Sequence, residues 1–259
     1  MNLDELRTLY DQDQRIDIQY PGMRRETSPY IIRHIDLSGD FHTILFSSLN
    51  EDNAATIIRQ EIDYFEQLGS DFEWKLFTHD KPDNLKERLA EHGFQVGEVE
   101  AILVLPLEEA SPSLFQTVKH DVRRAADADS IRKMMVVQTE VEGEDHSWLA
   151  DVLIDEWNAD SEQLSFYAAY AGDKIVSSAW MRLPENSLFA SLWGGATVEA
   201  YRGRGFYSAL LAVRAQEARS RGRRFLTVDA SPMSRPILEK LGFQLVSYSY
   251  PCHWRADKT

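Results

Sequence analysis

The stretch Thr197-Val198-Glu199-Ala200-Tyr201-Arg202-Gly203-Arg204-Gly205-Phe206-Tyr207-Ser208-Ala209-Leu210-Leu211 carries more information than any other in the 259-residue chain. The β-rich run Leu188 to Val198 predicts a strand before it, and Phe206 to Ser220 reads as the helix after it. Between them Gly203 and Gly205 let the backbone turn tightly. Several N–H groups can then approach one ligand at the positive end of the helix, an arrangement that suits a diphosphate. Arg202, Arg204, Arg214, Arg219, Arg221, Arg223 and Arg224 crowd the same stretch with only Glu217 against them, which predicts a local anion site. A Gly-x-Gly alone is more often only a turn, so its surroundings must carry the reading.

Downstream, Gly222 and the strand Arg224 to Asp229 lead to Pro236-Ile237-Leu238-Glu239-Lys240-Leu241-Gly242-Phe243-Gln244-Leu245-Val246. The first half repeats this order. Ala54 to Leu68 reads as a helix, followed by Gly69 and a strand from Glu73 to Thr78. Then comes Leu85-Lys86-Glu87-Arg88-Leu89-Ala90-Glu91-His92-Gly93-Phe94-Gln95-Val96. Each copy runs helix, Gly, strand, short helix, Gly-Phe, strand, with glycine where a helix end uses a left-handed residue. Two copies at similar spacing predict an internal duplication. Pro106 to Ser113 has the Pro, Ser and acidic content of a linker, which puts a boundary near residue 112.

In the second half, Val118 to Val122 predicts a strand. Asp127 to Val137 predicts a helix on the spacing of Ile131, Met134, Met135 and Gln138. Phe166 to Tyr170 and Lys174 to Leu183 read as a hairpin joined by Ala171-Gly172-Asp173. Antiparallel strands followed by strand–helix alternation imply an α/β protein with a mixed sheet.

The segment from Arg202 to Tyr207 resembles the coenzyme-binding motif of the GNAT superfamily of N-acetyltransferases, Gln/Arg-x-x-Gly-x-Gly/Ala. Arg202 and Gly205 hold its first two fixed places, and Tyr207 departs at the third. Ser231 to Phe243 resembles the superfamily's next motif, which ends in a similar Lys-x-Gly-Phe. The resemblance spans residues from about 117 to 250, and the first half resembles a decayed copy. It implies two GNAT-like domains in tandem, each a mixed, mostly antiparallel sheet flanked by helices: a degenerate one at 1–112 and an acetyl-CoA-binding one at 113–259. In the first, Asn50-Glu51-Asp52-Asn53 stands where the Arg-Gly-x-Gly would be, and its carboxylates would repel a diphosphate.

By the same resemblance, Arg202, Gly203, Arg204, Gly205, Phe206, Tyr207 and Ser208 would grip the diphosphate. Gly195, Ala196 and Thr197 would align the pantetheine arm as an added strand, and Ser231 would hydrogen-bond it where the family often has Asn. The implied reaction is transfer of an acetyl group from acetyl-CoA to the amine of a small molecule or peptide, with no metal. The family often has a tyrosine in the last motif to protonate the departing thiolate. Leu238 stands there, which leaves Tyr207, Tyr248 or water, or a protein that binds acyl-CoA without turnover.

An alkylamine has a pKa near 10.4, so a base must deprotonate it. Asp229, at the end of its strand, and Glu140, after the first helix of this half, are the candidate bases, although such carboxylates are more often caps or surface charges. The seven histidines show no metal-ligand spacing. Trp148, Trp157, Trp180 and Trp193 are candidates to line an acceptor pocket. A net charge of -14 argues against a nucleic-acid partner. Cys252, the single cysteine, suits a reducing compartment. With a polar start and no run of about 18 apolar residues, neither a signal peptide nor a membrane span is expected, which points to the cytoplasm.

Overall fold

The computed structural model describes residues 1–37, 39 and 41–256. Contacts group them into two units: residues 1–102 with 230–232 and the chain from 245 onward, and residues 103–229 with 233–244. Neither unit is a single stretch of sequence.

The first unit opens with α1 (Leu3–Tyr10), whose start carries a capping box between Asn2 and Glu5. A π-helical turn, Asp11–Ile16, follows. Strands β1 (Met23–Thr27), β2 (Ile31–Asp36) and β3 (Thr43–Ser47) pair antiparallel in chain order. Next come α2 (Ala54–Leu68), β4 (Phe72–Phe77), α3 (Leu85–Glu91) and the short β5 (Gln95–Val96). β4 runs parallel to β3. The inner face of α2 buries Ile57, Ile58 and Phe65, and the Phe65 ring stacks on Phe72 at 4.0 Å between centroids. Trp74, Ile44 and Phe94 complete this core.

Beneath β4 lies a polar cluster. Arg15, 1% exposed, donates to both oxygens of Asp80 at 2.7 and 2.8 Å, to Asp11 at 2.9 Å and to the Leu45 carbonyl at 2.9 Å. Enclosure of these charges is offset only because each guanidinium donor finds an acceptor.

The second unit begins within β6 (Glu100–Pro106) and continues through a 3₁₀ turn, Pro112–Phe115. The segment read as a linker is therefore ordered, with Leu107 and Leu114 buried. β7 (Asp121–Arg124) lies slightly later than the strand expected at Val118–Val122. Then follow α4 (Ala128–Glu142), α5 (Ser147–Ala159), β8 (Leu164–Ala171), β9 (Lys174–Arg182), β10 (Phe189–Thr197), α6 (Phe206–Ser220), β11 (Phe225–Ala230) and α7 (Arg235–Lys240). Asp127 caps α4 by accepting from the Ser130 N–H at 2.8 Å, and Gly143 ends it at φ 78°. β7 to β10 pair antiparallel in chain order, and β11 joins β10 in parallel. Helices cover both faces. Ile131, Met134 and Met135 of α4 and Leu153 of α5 pack with Phe166 and Trp180, whereas Phe206 and Leu210 of α6 pack with Ala169, Val176 and Ala179.

The last strand, β12 (Gln244–Trp254), belongs mainly to the first unit, where it pairs antiparallel with β4 from Phe72 to Phe77 and with β5.

Candidate active site

The site follows from how β10 loses its neighbour. β10 pairs with β11 only over Phe189–Ser191 against Phe225–Thr227, so beyond Ser191 the two parallel strands part. In the same region β10 carries a bulge against β9: Trp193 faces Trp180, but the next paired residue is Ala196, facing Ser178. One extra residue has been inserted. Gly194 and Gly195 make this possible. Gly194 adopts φ 55°, and a Cβ there would lie 1.7 Å from the Trp180 ring. Gly195 is itself exposed, while Ala196 and Thr197 after it are buried.

From Thr197 the chain passes through a 3₁₀ turn, Glu199–Tyr201, into the glycine loop. Gly203 and Gly205 adopt φ 72° and 85°, a left-handed conformation that suits glycine. Gly205 is the N-cap of α6 and supplies no side-chain cap, so the first N–H groups of the helix keep the donor capacity that capping elsewhere removes. The loop is braced on both sides. Arg202 Nε donates to the Thr197 carbonyl at 3.1 Å, and His120 Nε2 lies 3.0 Å from the Arg204 carbonyl. The His120 and Phe206 rings meet edge-on at 4.8 Å.

The corresponding place in the first unit, between β3 and α2, is built differently. Asn50 Oδ1 accepts from the N–H groups of Asp52 and Asn53 at 3.0 Å, and Asn53 Oδ1 accepts from Asn50 N–H at 2.8 Å. Glu51 pairs with Arg88. Side chains thus satisfy the donors here, and carboxylates line the turn.

Tyr207 is half-buried with its ring against Gly195. Burial pushes its hydroxyl above the ordinary tyrosine value, opposed by the Arg214 charge and a hydrogen bond with Ser234. The seven arginines do not form one anion patch. Arg214 is buried beneath the bulge, and Arg223 donates to the carbonyls of Leu183, Glu185 and Ser187. Arg221 pairs with Glu217 and Glu162, and Arg219 lies over the Phe115 ring at 3.5 Å. Arg202 and Arg204 alone stand at the glycine loop.

Asp229 sits half-buried on β11, two residues past the last one paired with β10, on the parted side of that strand pair. Glu140 is exposed on α4 with Lys174 Nζ 3.4 Å away. Ser231 is exposed in the turn between β11 and α7. Leu238 is wholly buried. Trp180 belongs to the core, Trp157 packs against it, Trp193 flanks the bulge at 38% exposure and Trp148 stands 63% exposed on α5. Among the described residues, no group of three or more His, Cys, Asp or Glu side chains is placed to hold a metal, and no helix is long and apolar enough to cross a membrane.

Residues 128–243, which contain the bulge, the glycine loop and α7, match the family described as Acetyltransferase (GNAT) family. This segment is a GNAT-family domain. Solved structures extend the likeness of fold to the whole chain. A GCN5-related N-acetyltransferase from Kribbella flavida is 13% identical with a TM-score of 0.67, over 96% of this chain and 94% of its own. A conserved protein of unknown function from Staphylococcus epidermidis ATCC 12228 is 14% identical with a TM-score of 0.65, over 93% and 96%. A tandem GNAT protein from the clavulanic acid biosynthesis pathway is 10% identical with a TM-score of 0.58, over 100% and 89%. No curated protein matches the chain. The architecture is that of two GNAT-like domains in tandem, each a mixed α/β layer with mostly antiparallel strands. The match of residues 128–243 supports general acyl-transfer chemistry for that segment.

The sequence counted Gln138 on a helix face and Arg214 in an anion site, whereas both side chains are buried and reach the bulge.

Proposed function

We propose that the second unit is an acetyl-CoA-dependent N-acetyltransferase acting on the amine of a small molecule or peptide in the cytoplasm. The carrying observation is the parting of β10 from β11 beside a two-glycine bulge, one turn before an uncapped helix start at Gly205. The N–H groups from Gly203 to Ser208, with Arg202 and Arg204, bind the diphosphate of the co-substrate. The backbone of Gly195, Ala196 and Thr197 receives the pantetheine arm as an added strand.

In the reaction the neutral amine attacks the thioester carbon and the carbonyl π pair moves onto oxygen. Collapse breaks the C–S bond, giving amide and thiol once the amine proton has left and the thiolate has gained one. Asp229, on the parted side of the strand, and Glu140 are the proposed bases. Tyr207, whose ring lies against Gly195, is proposed to protonate the thiolate. Residues 1–112 are proposed as the degenerate copy and 113–259 as the coenzyme-binding copy, because the turn at Asn50–Asn53 holds its own donors.

Isothermal titration of acetyl-CoA into the wild type and Arg204→Glu/Gly205→Glu tests the reading, followed by an assay of thiol release with an amine panel. Binding that the double variant loses, together with amine-dependent thiol release, is expected. No binding to the wild type overturns it. Binding without turnover favours the second reading, an acyl-CoA-binding protein, which rests on Leu238 being buried in the core at the place of the family's tyrosine.

A further inference from the structure

Gln138 and Arg214 are each only 2% exposed, and each donates a hydrogen bond to one of two successive carbonyls of the bulge. Gln138 Nε2, from α4, donates to the Gly194 carbonyl at 2.6 Å and to Ser178 Oγ at 3.0 Å. Arg214, from α6, donates through Nη1 to the carbonyls of Trp180 at 3.1 Å and Trp193 at 3.5 Å, and through Nε to Leu210 at 3.1 Å. No carboxylate pairs with Arg214 among the described residues. A buried charge held only by carbonyls is costly, and the position tolerates it beside the bulge of a chain whose net charge is -14.

The contacts fix the bulge peptides because a trans peptide points its C=O and N–H in opposite directions. The two helices lie on opposite faces of the sheet, so successive peptides are held from opposite sides. Arg214 takes the carbonyl of the Trp193–Gly194 peptide, and Gln138 takes that of Gly194–Gly195. With the Gly194 carbonyl drawn toward α4, the N–H of Gly195 is turned to the face on which Tyr207 lies. The rings agree: Trp180 covers Gly194 on the α4 face, and Tyr207 flanks Gly195 on the α6 face.

We propose that Gln138 and Arg214 are positioning residues that clamp the bulge from its two faces, so that the Gly195 N–H is presented to the thioester oxygen as negative charge develops on it. A preset donor stabilises that charge without reorganisation during the reaction. The inference rests on the coenzyme site proposed above.

The test uses full-length protein labelled with ¹⁵N-glycine, which has 13 glycines. Acetyl-CoA is titrated into wild type, Gln138→Leu, Arg214→Met and Arg214→Lys, with kcat and KM measured in parallel. Wild type should show amide shifts at Gly203 and Gly205 in the loop and at Gly195 in the bulge. Gln138→Leu should keep the loop shifts with Kd within about threefold, lose most of the Gly195 shift and drop kcat on the order of tenfold with KM unchanged. Arg214→Met should behave alike and Arg214→Lys should recover part of both. If Arg214→Met does not fold, Gln138→Leu and Arg214→Lys carry the same comparison. Loop shifts in every variant with an unaltered Gly195 response and kcat would overturn the clamp while leaving the coenzyme site standing. No glycine shift in wild type would remove both.

Discussion

Tyr207 stands so close to Gly195 that a Cβ built there would meet the ring carbon Cε2 at 2.9 Å. The third place of the glycine motif, which resembling sequences fill with a small residue, is here filled by a ring. The strand opposite has given up its side chain to admit it. Gly195→Ala should therefore displace the ring and weaken acetyl-CoA binding by about tenfold, and Tyr207→Ala in the same chain should restore most of it. The double-mutant coupling, on the order of 1 kcal/mol, is read by titration of the four proteins. Additive losses would show that the two residues act independently.

Gly194 admits still less. A side chain there must take φ 55° and also meet the Trp180 ring, so Gly194→Ala should cost about 3 kcal/mol of stability. Urea unfolding followed by Trp fluorescence measures it, and a loss below about 1 kcal/mol would mean that the ring moves aside freely.

The first unit should take up no coenzyme at its own strand–helix turn. Titration of acetyl-CoA is expected to give one site per chain. Asn50→Ala should cost on the order of 1 kcal/mol, since its side chain satisfies the N–H groups of Asp52 and Asn53, and it should leave the stoichiometry at one.

Acid should loosen the first unit through Asp11. Burial alone would raise its carboxyl, but His79 at 2.8 Å and Arg15 at 2.9 Å outweigh this and hold it below the ordinary value. A depressed carboxylate contributes stability above its unfolded pKa and loses it as pH falls through the lower folded value. Glu61 has the opposite sign: burial raises it in spite of Arg33, so its folded form disfavours charge as pH rises. Asp11→Asn should cost more stability at pH 6 than at pH 3, and Glu61→Gln should become relatively less costly over the same rise. Thermal unfolding across that range checks both slopes.

Cys252 should resist alkylation. It is fully buried, and burial pushes the thiol up to about 12, with Glu73 adding to the effect. Iodoacetamide at pH 8 should leave it unmodified in the folded protein and modify it within minutes in guanidinium. Rapid labelling without denaturant would show that the strand opens.

Much of the second unit was legible from residues alone, because its signals are local. Phe206 to Ser220 reads as a helix and is one, Asp127 caps α4 as its position suggests, and Gly172 closes the hairpin at φ 62°. The duplicated Gly-Phe elements likewise appear as α3 and α7 with their following strands. What escaped depends on contacts between distant segments. α5 has only a weakly one-sided apolar pattern, and the sequence reading assigned no element to its stretch. The arginine run looked like one charged surface because spacing along a chain does not tell which guanidinium turns inward to a carbonyl. Gln138 fell at an apolar position of α4, where its polarity was the clue that a buried acceptor waited opposite.

The placement of β12 sets the order in which the protein can be made. Residues 249–254 zip along Phe72–Phe77, yet they leave the ribosome only after the entire second unit has been synthesised. Until then β4 presents an unpaired edge carrying Phe72 and Trp74, a template for pairing with other nascent chains. Completion of the N-terminal sheet consequently waits until the second unit has been made. A stop codon just before residue 245 would remove few residues from the site yet leave the other unit open along one side, and its expected fate is aggregation rather than a shorter working enzyme.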